Sequence, residues 1–409
     1  MQTRIATEFR NDPAVQAVEG ILRNCVHCGF CLATCPTYQL LGDELDSPRG
    51  RIYLIKQLLE GRPVTARTRL HLDRCLTCRA CETTCPSGVT YGRLLDLGRE
   101  LVESRAPRPL PQRLLRRLLR FSLADRTRFA LLARLGRLFR PLVPATLRAG
   151  LPAHAPTAAA PAPAVAAARR TVLLLEGCVQ PTLRPTIDAA AATLLGRLGI
   201  ATRSVPQAGC CGAIDHHLAA PDAALARMRR NVDAWIPALE AGADALVVTA
   251  SGCGAMVKEY GHLLRDDPAY AERAARVAAA TVDPAELFSG LDLTPLGRPG
   301  RGRRIAFHAP CTLQHGQQLP GVTEALLTAL GFELTPVADG HLCCGSAGTY
   351  AVLQPDLARQ LRANKVTHLE AGEPELIATA NIGCLHHLEA GTGTRVVHWL
   401  ELVAETLDG

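Results

Sequence analysis

Cys25, Cys28, Cys31 and Cys35 are followed at once by Pro36, and the same C-x₂-C-x₂-C-x₃-C-P run returns at Cys75, Cys78, Cys81, Cys85 and Pro86. Nothing else in this 409-residue chain narrows its fold as sharply. The spacing is the ligand set of two [4Fe–4S] clusters. Two residues between cysteines let a tight loop aim successive thiolates at different corners of one cube. The fourth cysteine points away and ligates the other cluster. One cluster is therefore expected on Cys25, Cys28, Cys31 and Cys85, and the other on Cys75, Cys78, Cys81 and Cys35. Pro36 and Pro86 are expected to turn the chain after each fourth ligand, because proline fixes φ and lacks a backbone N–H. Structural zinc also uses cysteines two apart, but it has no use for a triple run closed by Cys-Pro. The chain reads as an electron carrier.

Sixteen cysteines could suggest a secreted disulfide scaffold. The length, the spacing and the lack of a signal-peptide pattern before Cys25 argue instead for a reducing compartment, the cytosol. No run of about 18 apolar residues is present, so no membrane-spanning helix is expected. Aromatic residues are only 4% of the chain, which argues against a stacking platform for single-stranded nucleic acid.

The net charge of +7 is concentrated. Between Arg105 and Arg148 lie twelve arginines and one acid, Asp125. Leu114, Leu115, Leu118 and Leu119, then Leu131, Leu132, Leu135 and Leu138, recur at helical steps over 111–142. An apolar stripe beside arginines suits an anionic membrane surface or an acidic partner. It also suits a helical pair packed over the cluster domain.

Residues 1–100 read as a helical two-cluster ferredoxin domain. Its insert carries SPRGRIYLIKQLLEG, with Ser47 as cap, Pro48 at the first helical position and Gly61 at the close. Ile52, Ile55, Leu58 and Leu59 share one face. Residues 101–150 form the basic amphipathic segment, and 151–168 are an Ala/Pro linker.

Beyond the linker lies an internal repeat, 169–296 and 303–409. Cys178 precedes Cys210-Cys211-Gly212, and Cys311 precedes Cys343-Cys344-Gly345, at a common offset of 133; Cys253 and Cys384 close the two units at an offset of 131. Each unit opens with an apolar strand, 171–175 or 304–308, and has another, 245–250 or 376–380, before its last cysteine. Strands alternating with helices predict a parallel sheet in each unit, with the cysteines at or beyond strand C-terminal ends. The fold class is thus multidomain α/β, a ferredoxin domain followed by a tandem pair of Cys-Cys-Gly domains. A pseudo-twofold is expected to bring the cysteine loops together. Cys178, Cys210, Cys211 and Cys253, and Cys311, Cys343, Cys344 and Cys384, are candidates for an additional iron–sulfur cluster or a thiol redox site; buried free cysteines are the plainer alternative. His216, His217, His308, His315, His341, His386 and His387 lie near these cysteines in sequence but are not assigned as ligands. No dinucleotide, P-loop or flavin motif is present, so FAD and NAD are expected on other proteins, and no catalytic residue is assigned here.

On NCVHCGFCLATCPTYQLLGDELDSPRGRIYLIKQLLEG (24–61), FHAPCTLQHGQ (307–317), LCCGSAGTY (342–350) and NIGC (381–384) the chain resembles the iron–sulfur subunits of flavin-dependent hydroxy-acid and glycerol-3-phosphate dehydrogenases. It also resembles the Cys-Cys-Gly subunit of heterodisulfide reductases, and most of all the iron–sulfur subunits of glycolate oxidase (glycolate dehydrogenase). The resemblance implies two FAD-type partner subunits that oxidise glycolate to glyoxylate, in a heterotrimer or a multiple of it. This subunit would carry electrons to a quinone-type membrane acceptor from the cytoplasmic face of the inner membrane. Nucleic acid is not an expected partner. Equivalent subunits for lactate or glycerol-3-phosphate, or a heterodisulfide-reductase-like thiol redox subunit, are the alternatives. There is one departure. Heterodisulfide reductase domains end in C-x-x-C, whereas here Ala250 and Asn381 stand at the earlier position, so each half lacks one thiol.

Overall fold

The computed structural model describes residues 1–139, 168 and 170–407. The linker expected at 151–168, its last residue aside, and the end of the basic segment lie outside them.

The N-terminal unit is helical, as its sequence predicts. Its helices are α1 (Pro13–Asn24), α2 (Pro36–Leu41), α3 (Pro48–Leu59), α4 (Ala66–Asp73), α5 (Ala80–Thr83) and α6 (Tyr91–Arg105). Helix α3 starts where the sequence signals it: the Ser47 hydroxyl accepts from Gly50 N at 3.0 Å, and Pro48 takes the first position. Ile52, Ile55, Leu58 and Leu59 are all buried, packed with Leu22, Leu94 and Leu95. Each such side chain contributes about 1.5–3 kcal/mol over the exposed state. One expectation is corrected. Pro36 does not turn the chain out of a helix; it opens α2 at the first position, where the missing N–H costs nothing.

The basic segment is two helices, α7 (Leu110–Leu123) and α8 (Arg126–Leu138). They break at Ala124, and Asp125 caps α8 by accepting from Arg128 N at 2.9 Å. Arg116 pairs with Asp73 at 3.1 Å and Arg120 with Asp215 at 2.6 Å, so α7 spans from the cluster domain to the first repeat. Leu119 and Ala133 face inward, but Leu110, Leu118, Leu131 and Leu138 are more than half exposed. The stripe therefore does not pack over the cluster domain.

Each repeat holds a four-stranded parallel sheet. The first runs in the order β2-β1-β3-β4 and the second β6-β5-β7-β8. The strands are β1 (Arg170–Leu174), β2 (Ile200–Ser204), β3 (Ala245–Val247), β4 (Thr281–Val282), β5 (Arg304–His308), β6 (Glu333–Leu334), β7 (Leu376–Thr379) and β8 (Val396–His398). Alternate side chains of β1 enter two cores: Val172 and Leu174 one, Leu173 the other. A parallel sheet covered on both faces needs such an unbroken apolar run. The first of these cores is common to both repeats, with Val172 and Leu174 in the same cluster as Ile305, Phe307 and Ala378. The halves are thus fused through shared apolar packing, and their strand ends meet: Ser251 N donates to Ala380 O at 3.3 Å and His398 Nε2 lies 3.1 Å from Thr249 O.

Gly50 tests how tightly α3 is seated. A Cβ there would lie 1.9 Å from Glu44 O, whereas one at Gly20 meets nothing within 4 Å. Gly50→Ala should cost on the order of 3 kcal/mol, while Gly20→Ala in α1 should gain up to about 1 kcal/mol. Thermal denaturation midpoints of the two variants check this; equal midpoints would contradict it.

Candidate electron-transfer centre

The two cysteine runs fold into loops of the same shape. In the first, His27 and Gly29 have φ of 57° and 90°; fifty residues on, Thr77 and Arg79 have φ of 53° and 61°. Glycine adopts this left-handed backbone freely, but the other three residues do so at a cost of about 1–3 kcal/mol each. The kinks curl each loop so that backbone amides approach sulfur: Thr77 N lies 3.4 Å from Cys75 Sγ. Arg79 is held in its strained conformation by Glu82 at 2.9 Å and by Glu259 of the first repeat at 2.8 Å.

Two neighbouring cavities result. The first is lined by Cys25, Cys28, Cys31 and Cys85, and Cys81 also reaches it. The second is lined by Cys35, Cys75, Cys78 and Cys81. Pro48 and Tyr91 belong to both walls. The eight cysteines thus surround two adjoining spaces, with Cys81 reaching both. Four cysteines around one space are the donor set of a [4Fe–4S] cluster, and curled loops offering amide N–H groups to sulfur fit that group. Of the first set Cys28 is exposed, and beside it Val26 and Phe30 are 66% and 63% exposed. The second set is deeper, with Cys35, Cys75 and Cys81 buried.

A charged network beside the second cavity escaped sequence reasoning. Asp46 is fully buried and meets Arg51 at 3.4 Å, His71 at 3.0 Å and Arg74 at 2.7 Å. Arg51, only 1% exposed, also donates to Thr37 Oγ1 at 3.1 Å and approaches Cys35 Sγ at 3.9 Å. Burial alone would lower the Arg51 pKa, but Cys75, Tyr91, Cys35 and Asp46 outweigh it and the net shift is upward. The signal was in the sequence: Arg51 sits four residues before Ile55 and seven before Leu58, on the apolar face of α3.

The repeat cysteines form two separate chains of contacts. Cys178, Cys210, Cys211 and Cys253 lie in series, each thiol shifting the titration of the next. Cys311 meets Cys343 at 3.8 Å, Cys343 bonds Cys344, and Cys344 bonds Cys384. Hydrogen bonds to a neighbouring thiol, then burial, push Cys178, Cys211 and Cys311 up, so as free thiols they stay protonated. Gly212 and Gly345 have φ of 91° and 92°, and a Cβ on Gly345 would lie 2.7 Å from Ala358 O; only glycine suits that turn. Cys253 and Cys384 lie in the first turns of helices Ser251–Lys258 and Ile382–Glu389. Asn381, at the position of the missing thiol, donates Nδ2 to Cys384 Sγ at 3.4 Å. Each quartet assembles within its own half, although the halves meet at their strand ends.

Their surroundings differ. Cys311 and Cys343 pack with Leu76 and Cys78 of the cluster domain, whereas Cys178 and Cys210 pack against Ala124 at the α7–α8 break. His308 brings a ring nitrogen within 4.8 Å of the Cys344 and Cys384 sulfurs. Its pKa is pushed down to about 3 by burial and by Lys365, so it is neutral there. His315 joins the cluster domain through Thr83, 2.9 Å from Nδ1, while its Nε2 lies 2.9 Å from His341 O within the second repeat. His216 and His217 face Asp96 of α6 at 3.0 and 3.5 Å. No motif marks Asp96.

Arg51→Met should destabilise the cluster domain by about 3–5 kcal/mol, because buried Asp46 loses one of its cations. Denaturation of this variant, compared with Arg49→Met at the surface, measures the difference; equal stability would contradict it.

Residues 21–89 match the 4Fe-4S dicluster domain family, and residues 172–258 and 305–389 each match the Cysteine-rich domain (CCG) family. The chain is 56% identical over 408 residues to the glycolate oxidase iron-sulfur subunit of Escherichia coli K12, covering 100% of both chains. It is 30% identical to the probable glycolate oxidase iron-sulfur subunit of Bacillus subtilis 168, covering 97% of both. Lactate utilization protein A of Geobacillus kaustophilus is also 30% identical, over 57% of this chain and 98% of its own length. With cluster loops, paired repeats and full-length similarity in agreement, the chain belongs to the family of glycolate oxidase iron–sulfur subunits.

Proposed function

We propose that this chain is the electron-transfer subunit of an FAD-dependent glycolate dehydrogenase. Cys25, Cys28, Cys31 and Cys85 hold one [4Fe–4S] cluster, and Cys75, Cys78, Cys81 and Cys35 hold the other. The observation that carries the reading is the pair of adjoining cavities, each lined by one crossed cysteine quartet. When bound, the clusters supply one-electron storage and release, which matches a two-electron flavin donor to single-electron steps. The protein's share is placement. Cys28 with exposed Val26 and Phe30 forms the entry surface, where an apolar rim suits two FAD-type partner subunits. Pro48 and Tyr91 line both cavities and lie between the two cluster sites. Arg51, buried beside Cys35, stabilises added negative charge at the second site.

Electrons leave toward a quinone-type membrane acceptor. Among the described residues no helix is long and apolar enough to cross a membrane. Contact with the cytoplasmic membrane face instead falls to α7 and α8, whose exposed leucines lie among arginines that suit anionic lipid. The Cys311–Cys343–Cys344–Cys384 quartet adjoins Cys78 and is the better placed of the two for an additional cluster. Glycolate is favoured over lactate as the substrate of the partner subunits, because the likeness to the Escherichia coli glycolate oxidase subunit spans the whole chain while that to the lactate utilization protein spans 57% of it.

Cys28→Ser, in the complete complex, should lower iron by about four atoms per chain and stop turnover with the natural acceptor. Glycolate should still bleach the flavin. Full turnover would contradict the serial path. Cys344→Ser should leave both ferredoxin-type clusters in place by iron assay and EPR, and loss of either would show that the second quartet supports them.

A further inference from the structure

An open cleft of about 250 Å³ lies between the cluster domain and the two repeats. Its walls are mostly apolar. Ala14, Ala17 and Leu97 come from α1 and α6, and Met256 and Leu263 from the first repeat. Cys78 also lines it, the one cysteine to do so, and Cys78 lines the second cluster cavity as well. One thiol therefore separates this cleft from the deeper proposed cluster.

Polar groups make up much of the remaining wall, Glu100, His217 and His262 among them, and the two arginines beside Glu259 are paired. Arg79 binds Glu82 and Glu259, and Arg93 also binds Glu259, so these cations are matched by carboxylates and do not suit a phosphate. The volume suits a single substituted ring and not a dinucleotide. On one wall His216 is held by Asp96 at 3.0 Å through Nε2, which leaves Nδ1–H as a proton it can give. Burial lowers the His216 pKa, but Asp96 outweighs burial and the net shift is upward, so the imidazolium persists to higher pH.

We propose that this cleft binds the ring of a quinone and is the place where electrons leave the chain; the proposal rests on the electron-transfer reading above. The quinone takes up two electrons, arriving singly from the Cys78 side, and two protons. One proton comes from His216 and the other from water at the open mouth, and water then reprotonates His216. Both ring C=O groups become C–OH, the clusters are left oxidised by two electrons in all, and no bond to protein forms. The short helix Ala213–His217 ties the cleft to the membrane-facing hairpin: Asp215 holds Arg120 of α7 at 2.6 Å, and the next residue is His216.

Ala17 is exposed on α1, so Ala17→Trp fills the cleft without disturbing the core. The test uses the complete complex and decylubiquinone. Ala17→Trp should raise KM for the quinone by about tenfold or more, and Ala17→Ser should not. An azido-quinone should photolabel peptides carrying residues 93–100 or 216–217 in the unaltered complex, and Ala17→Trp should abolish that labelling. His216→Gln should lower kcat about tenfold at unchanged KM and remove the alkaline fall of the pH profile. Unchanged KM in Ala17→Trp, or labelling confined to other peptides, overturns the proposal. Reoxidation of the dithionite-reduced complex by decylubiquinone reads the cleft separately. A complex in which glycolate fails to reduce the clusters but Ala17→Trp still slows this reoxidation would retain the cleft and remove the glycolate reading.

Discussion

Everything in this molecule answers to the need to turn four cysteine sulfurs toward one small space without letting them oxidise to disulfides. All sixteen cysteines are free. A thiolate that faces three others is tolerable only when a cation, or a cluster that carries cations, neutralises it. The loop around Cys75–Cys81 therefore takes up backbone strain at Thr77 and Arg79, and the surroundings hold it there. Arg79 reaches across to Glu259 of the first repeat, so the strained loop is clamped by the neighbouring domain. A buried Asp46 network closes the other side of the same site, where Arg51 lies against Cys35. Tyr350 adds a further tie between the second repeat and the cluster domain by donating to Arg74 O at 3.1 Å.

The repeats show how one sequence pattern serves two surroundings. Both quartets have the same order of thiol contacts and the same left-handed glycine. Yet the second is pressed against Cys78, while the first sits under the basic hairpin. Both repeats touch the cluster domain, the first through Glu259 and His216, but only the second brings its cysteines to it. The halves are fused through Val172, Leu174, Ile305 and Phe307, which fixes their relation to one another.

Much of this was legible in residue order. Spacing foretold the cap at Ser47 and the buried face of α3, because each depends on neighbours within a few positions. The offset of 133 foretold the paired sheets. What escaped depends on distant partners. The leucine stripe of α7 and α8 has a helical period whichever way it faces, and only tertiary structure shows it turned outward. Asp96 has no local motif, and its meeting with His216 spans two domains. Pro36 follows the fourth ligand and begins α2 there, a placement that proline's fixed φ allows.

The most direct test of the account is EPR of the complete complex, purified without oxygen, before and after glycolate. The account predicts two interacting reduced [4Fe–4S] signals after glycolate, both carried by this chain and one of them absent in Cys28→Ser. Signals with dithionite but none with glycolate would contradict glycolate as the electron source. A spectrum without [4Fe–4S] signals under either reductant would contradict the electron-carrier reading itself.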